Sequence, residues 1–330
     1  MRRCKIGVVI HTKLRDQVFA KEDMARLDRL GEVTWTDSPD AISVRQAIEI
    51  LKDCEVGVGS WGTPHVGSPG LLEACPELRL WEHVAGSVRM MFGPHLKGRD
   101  VTIASCKTAI ADCVAEMVLG EIVLGLRRLF ENAAANREGK AEKSPDTKVA
   151  YGSTVGVIGA SEVGKRVMRL LKPFRARVLL YDPYVKPAQA KGLGVELVGD
   201  LVELCRRADV VTLHVPALPS TTKMLKAEHF RAMKDDAVFI NTARGGCIDE
   251  AALVAELQKG RLSALLDVSD PEPAADDSPL RRLPNVVYTS HIAGPATFNM
   301  GAQAVDDVQA FCVGRKPLCV VTEDMLDHVA

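Results

Sequence analysis

Short β-branched apolar runs punctuate the first hundred residues, at 6–11 (IGVVIH), 32–36 (EVTWT), 55–60 (EVGVGS), 78–84 (LRLWEHV) and 101–105 (VTIAS). Helical stretches such as 21–31 (KEDMARLDRLG) and 43–54 (SVRQAIEILKDC) lie between them, with Gly31 as a stop signal and Ser43 as an N-cap. A second series starts at Ser153. Its predicted strands are 154–159, 177–182, 209–215, 237–243, 264–268 and 286–291. Helices fit between these, for example 162–174 and 249–260, the latter with Asp249 at its start and Gly260 at its end; one long helix of roughly 296–313 follows. Strand–helix alternation predicts a parallel sheet covered by helices on both faces, so two such series predict two doubly wound α/β units. The segment 110–128 (IADCVAEMVLGEIVLGLRR) is apolar nearly all round, which predicts a helix buried on most sides between domains or subunits. The polar stretch 138–148 reads as an exposed connection.

Composition narrows the function classes. The 330 residues suit about two domains. Lys plus Arg is 42 and Asp plus Glu is 43, which lacks the basic surplus that a sequence-independent nucleic-acid binder needs. No apolar run approaches the ~20 residues that cross a bilayer. The opening run is too short for a signal segment and no A-x-A site follows it. Nine scattered cysteines with no CxxC pair point to a reduced, cytoplasmic setting, and away from a disulfide framework or a zinc site.

VGVIGASEVGKRV (155–167) carries the first chemistry. A strand runs into Gly159, the chain turns, and a helix begins near Glu162. Backbone N–H groups and the helix dipole at such a start hold a pyrophosphate. Gly159 permits the turn and Gly164 the close packing of helix on sheet, while Ser161 stands where G-x-G-x-x-G has its middle glycine. A bare G-x-S-x-x-G also suits any tight βα turn. Asp182, ending RVLLYD 18 residues past Gly164, adds an acid placed for ribose hydroxyls. It would repel a 2′-phosphate, which favours NAD over NADP, although Lys186 lies close by.

Three polar residues follow at the carboxyl ends of successive strands: Arg244 in FINTARGGCIDE, Glu272 in LLDVSDPEP and His291 in NVVYTSHIAG. Ligands bind at those ends in open α/β sheets. Each has a plain alternative: an ion pair for Arg244, a solvated loop acid among Asp270, Asp276 and Asp277 for Glu272, a core imidazole for His291. Together they suit a 2-oxo acid. A guanidinium binds the carboxylate bidentately and polarises the ketone. An imidazole moves the proton at the oxygen as hydride moves at C2. A carboxylate partner holds the imidazole and favours its protonated form.

From about residue 78 to 315 the chain resembles the D-isomer-specific 2-hydroxyacid dehydrogenase family, which includes phosphoglycerate, glycerate and D-lactate dehydrogenases and glyoxylate/hydroxypyruvate reductases. The resemblance rests on VAEMVLGEIVLGLRR (114–128), TVGVIGASEVGKRV (154–167), YDPY (181–184), LHVPALPSTTKML (213–225), MKDDAVFINTARGGCIDEAAL (233–253), LDVSDPEP and NVVYTSHIAG, in order and at family-like spacing. It implies a Rossmann-type NAD domain, 103–294, inserted into a flavodoxin-like substrate domain of 1–102 and 295–330. It implies Arg244, Glu272 and His291 as catalytic residues. It also implies NAD contacts from Gly159, Ser161, Glu162, Val163, Gly164 and Asp182, from His214, Val215, Pro216 and Thr221 on the adenosine side, and from Thr242, Ala243, Asp267, His291 and Gly294 around the nicotinamide. Gly86, Ser87 and Val88 would bind the substrate carboxylate with Arg244. Outside the matched stretch, Trp61 ends a first-domain strand and reads either as a cap on the substrate pocket or as core packing. The resemblance implies a small 2-oxo or 2-hydroxy acid substrate and a homodimer. The alternative it leaves is an NAD-sensing, co-repressor-like binding protein with little turnover.

The chain departs from the family at Ser161, at Ser290 (usually proline, which predicts a less rigid backbone before His291) and at Arg89, which stands where the family's substrate loop has an acid. Arg89 reads as an exposed helix-start residue or as a contact for a second acidic group on the substrate. Glu272 is assigned by its place five residues after Asp267, with Asp270 as the fallback acid.

Overall fold

The computed structural model describes residues 3–140 and 147–326, so part of the expected exposed connection, 141–146, lies outside the described residues. The chain divides into two units. One holds residues up to Ile110 together with those from Pro295 on, the other Ala111–Gly294. The second break falls at the expected place and the first eight residues later than 102. The reason is that the strand Thr102–Ser105 pairs with its neighbours in the first unit's sheet.

The first unit contains β1 (Cys4–Val8), α1 (Thr12–Val18), α2 (Lys21–Leu30), β2 (Gly31–Trp35), α3 (Val44–Leu51), β3 (Val56–Gly59), α4 (Leu71–Ala74), β4 (Leu80–His83) and β5 (Thr102–Ser105), completed by α12 (Phe298–Cys312) and β13 (Val320–Val321). The sheet order is β13-β5-β4-β3-β1-β2, parallel except where β13 runs against β5. Side chains alternate across a strand. On β4, Leu80 therefore joins Met300 and Ala304 of α12 in one core, while Trp81 joins Leu51 and Leu71 in the other. Ser43 caps α3 in a capping box with Gln46, as expected. Helix α2 runs directly into β2, and Gly31 is required there because a Cβ would meet the Cys4 carbonyl oxygen.

Cys4 and Cys312 form a disulfide, which corrects the expectation of free cysteines. The partners are 308 residues apart and meet because β1 and α12 share a core. The other seven cysteines lie outside this disulfide.

The second unit contains most of α5 (Lys107–Leu126), then α6 (Leu129–Arg137), β6 (Thr154–Ile158), α7 (Glu162–Leu171), β7 (Arg177–Tyr181), α8 (Pro187–Leu193), β8 (Glu196–Leu197), α9 (Leu201–Arg207), β9 (Val210–Leu213), α10 (Ala227–Ala232), β10 (Ala237–Asn241), α11 (Glu250–Leu257), β11 (Leu262–Leu266) and β12 (Val286–Tyr288). Its sheet runs β12-β11-β10-β9-β6-β7-β8 with every pair parallel. The order reverses between β6 and β9, which opens a crevice at their carboxyl ends. Helix α5 is less enclosed than its composition predicts: Ala111, Ala115, Val118, Ile122 and Leu126 form a single buried stripe, and the intervening apolar residues are half-exposed. Several strands also end earlier than their apolar runs, β9 at Leu213, β11 at Leu266 and β12 at Tyr288. The residues left over leave the ladder and build the site.

Candidate active site

The turn from β6 to α7 has the form that a pyrophosphate needs. Gly159 sits at φ 97°, a left-handed conformation that disfavours side chains. A Cβ on Gly159 would lie 2.8 Å from the His214 carbonyl oxygen, and one on Gly164 would lie 2.1 Å from that of Gly159. Ser161 caps α7 by accepting the Gly164 N–H at 3.3 Å. The serine thus replaces glycine with a helix cap, and its hydroxyl proton stays free to donate. Helix starts leave their first N–H groups without intrahelical acceptors, and those of Glu162 and Val163 have none among the described residues. The Glu162 carboxylate is drawn to Arg166 at 2.7 Å and Lys165 at 3.5 Å, which offsets its charge at the helix start.

Asp182 is committed to the same turn. One carboxylate oxygen accepts the Ala160 N–H and the other the Tyr184 N–H, each at 2.8 Å. Each oxygen keeps a lone pair for a ribose hydroxyl. His214, expected along the cofactor, has its ring in the core, 3.0 Å from the Thr212 hydroxyl. Burial pushes it down to about 3, so it is neutral. It contributes backbone to the turn, whereas Val215 and Pro216 are partly exposed. Thr221 spends its hydroxyl on its own turn, donating to Pro216 O at 2.6 Å and accepting the Leu218 N–H at 2.9 Å. The buried Thr242 hydroxyl has no partner among the described residues, while Ala243 and Gly294 are half-buried. A glycine cradle, free helix-start donors and an orphaned hydroxyl along one sheet edge fit a dinucleotide.

The catalytic candidates come from the adjacent strands β10, β11 and β12, whose parallel pairing sends all three following loops to one edge. His291 Nδ1 lies 2.5 Å from Glu272 Oε1, with both side chains partly exposed. The imidazole therefore pairs with Glu272 and not with the fallback Asp270, whose N–H donates to the Glu250 carboxylate at 2.9 Å. Arg244 donates from Nη1 to Ala243 O at 2.6 Å. Its turn is clamped by Asn241, which donates from Nδ2 to Arg244 O at 3.1 Å and accepts the Ala243 N–H at 3.0 Å. Gly245 presses the Arg244 turn against the β11 loop, since a Cβ there would lie 2.0 Å from the Ser269 carbonyl oxygen.

Asp267, expected beside the nicotinamide, lies in the loop after β11. It is fully buried. Oδ1 accepts from the Thr289 hydroxyl and the Ile292 N–H, each at 2.7 Å, and Oδ2 from the Ala293 N–H at 2.8 Å. The His291 N–H donates to Asp267 O at 2.8 Å. These bonds hold His291 at φ 56°, so the segment is fixed without the proline that Ser290 replaces. Sequence reasoning missed Asn241 and also Glu121, a half-buried acid on α5 whose Oε2 has no hydrogen-bond partner among the described residues. Burial, then the charge of Asp267, pushes Glu121 up to about 8. A charged residue inside the apolar 110–128 run was the available signal.

In the first unit, the N–H groups of Gly86, Ser87 and Val88 have no acceptor among the described residues. Trp61 is 40% exposed at the tip of a turn after β3. Arg89 donates to Leu326 O.

Residues 119–293 match the family model described as D-isomer specific 2-hydroxyacid dehydrogenase, NAD binding domain. The chain is 33% identical over 267 residues to a D-3-phosphoglycerate dehydrogenase of Methanocaldococcus jannaschii, a match covering 80% of this chain and 50% of that one. It is 31% identical to glyoxylate/hydroxypyruvate reductase B of Escherichia fergusonii, covering 94% and 96%. A phosphoglycerate oxidoreductase structure from Rhizobium etli superposes with a TM-score of 0.80 at 25% identity, covering 97% and 99%. The chain thus spans about half the length of the phosphoglycerate dehydrogenases it matches. Among the described residues no helix is long and apolar enough to cross a membrane. With the dinucleotide cradle, the imidazole–carboxylate pair and the arginine turn on one parallel sheet edge, and with these matches, the chain belongs to the D-isomer-specific 2-hydroxyacid dehydrogenase family.

Proposed function

We propose that the protein is an NAD-dependent oxidoreductase that interconverts a small D-2-hydroxy acid and its 2-oxo acid. The observation that carries this reading is the 2.5 Å pairing of His291 Nδ1 with Glu272. It leaves Nε2 to exchange a proton with the substrate oxygen, and it holds the ring in place by a hydrogen bond to a carboxylate. Arg244 binds the substrate carboxylate with the guanidinium edge not bound to Ala243. The free N–H groups of Gly86, Ser87 and Val88 are assigned to a carboxylate as well. Bound NAD supplies the hydride acceptor. Ser161, Glu162 and Val163 hold its phosphates, Asp182 its ribose, and the Thr242 hydroxyl its nicotinamide end.

We infer a homodimer, supported by half-exposed apolar residues on α5 and by the exposed Leu129, Val149 and Tyr151 nearby in sequence.

The test is loss of NADH or NADPH absorbance when the purified protein meets a panel of 2-oxo acids. Turnover with NADH at a rate that His291→Ala abolishes is expected. Tight NAD binding with no turnover of any acid would favour a sensor of NAD instead.

A further inference from the structure

Helices α5 and α6 run along the second sheet against the strand direction, and their contacts fix the register. Near the amino ends of the strands, Arg128 pairs with Asp236 at 3.2 Å and Ser263 Oγ donates to Glu131 Oε1 at 2.6 Å. Further along, a Cβ on Gly125 would lie 2.9 Å from Val238 Cγ1 and 3.4 Å from Leu265 Cδ1. Four residues back along a helix is ~6 Å and two residues on along a strand is ~7 Å, so Glu121 comes level with Asp267. Side chains alternate across a strand. Val238 and Ile240 of β10 and Leu265 of β11 share one core with the buried stripe of α5, which puts Asp267 on the face that α5 covers. The Asp267 N–H donates to Asn241 O at 3.0 Å, so the ladder and its alternation reach that residue.

Two carboxyl groups therefore adjoin beneath α5, and they are not equivalent. Asp267 takes three donors, the Thr289 hydroxyl and the N–H groups of Ile292 and Ala293, and such bonds favour a carboxylate. Glu121 Oε2 is buried with no partner among the described residues, which costs a charged oxygen far more than a protonated one. Other titratable groups on the elements packed here are engaged or exposed. Arg166 of α7 pairs with Glu162 at 2.7 Å and with Asp112 of α5. Arg244 donates to Ala243 O at 2.6 Å, the His291 ring is paired with Glu272, and His214 is neutral beside Thr212. Glu116 of α5 is exposed. One turn before and after Glu121, α5 carries Met117, Val118, Leu124 and Gly125, none of them charged. Burial first, and then Asp267 as the charge that reaches it, raise the Glu121 carboxyl to about 8.

The consequence runs to the imidazole. Asp267 accepts the His291 N–H on its backbone carbonyl at 2.8 Å and the next two N–H groups on its carboxylate. A second negative charge beneath α5 repels the group that fixes this loop. We propose that Glu121 is a positioning residue for His291: it keeps its proton beside Asp267 while the loop is in order, and its ionisation at alkaline pH loosens the loop and lowers turnover. This rests on the reading of His291 as the acid–base residue of an oxidoreductase.

Two measurements test it. Infrared difference spectra of the purified protein between pH 6 and pH 9 report carboxylic-acid C=O groups that lose their proton. The parent protein should show such a loss, and Glu121→Gln should lack it. Over the same range, kcat is followed with saturating NADH and whichever of glyoxylate, pyruvate and phenylpyruvate turns over fastest. Both proteins share the imidazole, so the ratio of Glu121→Gln to parent isolates Glu121. This ratio should rise at least threefold from pH 6 to pH 9. Glu121→Leu, equally unable to ionise, should show the same rise. A carboxylic-acid loss that is missing from the parent or survives in Glu121→Gln, or a ratio that stays constant with pH, overturns the positioning role while leaving the oxidoreductase reading intact. No turnover of any 2-oxo acid overturns that reading, and the positioning role with it.

Discussion

The Nδ1 atom of His291 and the Oε1 atom of Glu272 lie 2.5 Å apart, although 19 residues separate them in the chain. Removing the imidazole should cost kcat by ~10²–10⁴-fold, the range of acid–base catalysis, with little change in NAD affinity. Glu272→Gln keeps a hydrogen-bond acceptor for the imidazole but removes the ionic partner. It should lower kcat less than His291→Ala does. Steady-state kinetics with direct NADH titration separate these effects. Parallel loss of NADH binding in both variants would assign the pair to folding instead.

Asp267 acts on His291 through the backbone. Its carboxylate holds the N–H groups of Ile292 and Ala293 at 2.7 and 2.8 Å, so the peptide after the imidazole is tethered to β11. Asp267→Ala leaves the buried Ala293 donor unmet, at about 1–3 kcal/mol, and the half-exposed Ile292 donor to water. Thermal melts should show a lower midpoint, and kcat should fall with it because the imidazole loses its orientation. A variant with unchanged melting and lost activity would place Asp267 in direct contact with the reacting groups.

Glu121 predicts a pH dependence of stability. Its carboxyl is pushed up to about 8 in the folded protein, first by burial and then by Asp267, against an ordinary value of 4.5. Between these values the folded state holds one more proton at this site than the unfolded state does. The group's contribution is therefore complete below about 4.5 and is lost as pH rises toward 8, at a slope of at most ~1.4 kcal/mol per pH unit. Glu121→Gln removes the slope. Urea unfolding should show the variant gaining on the parent protein from pH 5 to pH 8, and a difference constant across that range would contradict the assignment.

The features that sequence made legible are local. Gly159 and Gly164, the caps at Ser43 and Asp249 and the β-branched runs each act within a few residues of themselves. Arg244, Glu272 and His291 are legible as candidates because each directly follows or closely trails a strand, and parallel order sends those ends to one edge. What stayed hidden depends on partners distant in the chain or on side-chain direction. Arg89 reaches Leu326, Asp182 folds back on Ala160, and His214 turns into the core. Strands β8 and β13, of two residues each, are too short to show a period.

Gly164 tests the cradle. A methyl group there would lie 2.1 Å from the Gly159 carbonyl oxygen, a backbone atom that cannot rotate away, so Gly164→Ala must push α7 off the turn. Overpacking of this kind typically costs ~1–3 kcal/mol. The NADH dissociation constant should rise at least tenfold, because the Glu162 and Val163 donors move with the helix. Isothermal titration beside a melting curve would show both, and unchanged NADH affinity in a folded variant would remove this turn from the cofactor site.

The disulfide between Cys4 and Cys312 joins β1 to the end of α12 across 308 residues of chain. A cross-link closing so long a loop restricts the unfolded chain, and native disulfides typically contribute ~2–4 kcal/mol. Thiol titration of the denatured protein without reductant should find seven reactive cysteines, and nine after reduction. Cys312→Ser should lower the melting temperature of the oxidised protein and make it insensitive to reductant. Because the bond lies in the first unit and the imidazole–carboxylate pair in the second, the variant should retain NADH affinity at low temperature. Nine reactive thiols without reductant would show that the two sulfurs are packed together and not bonded.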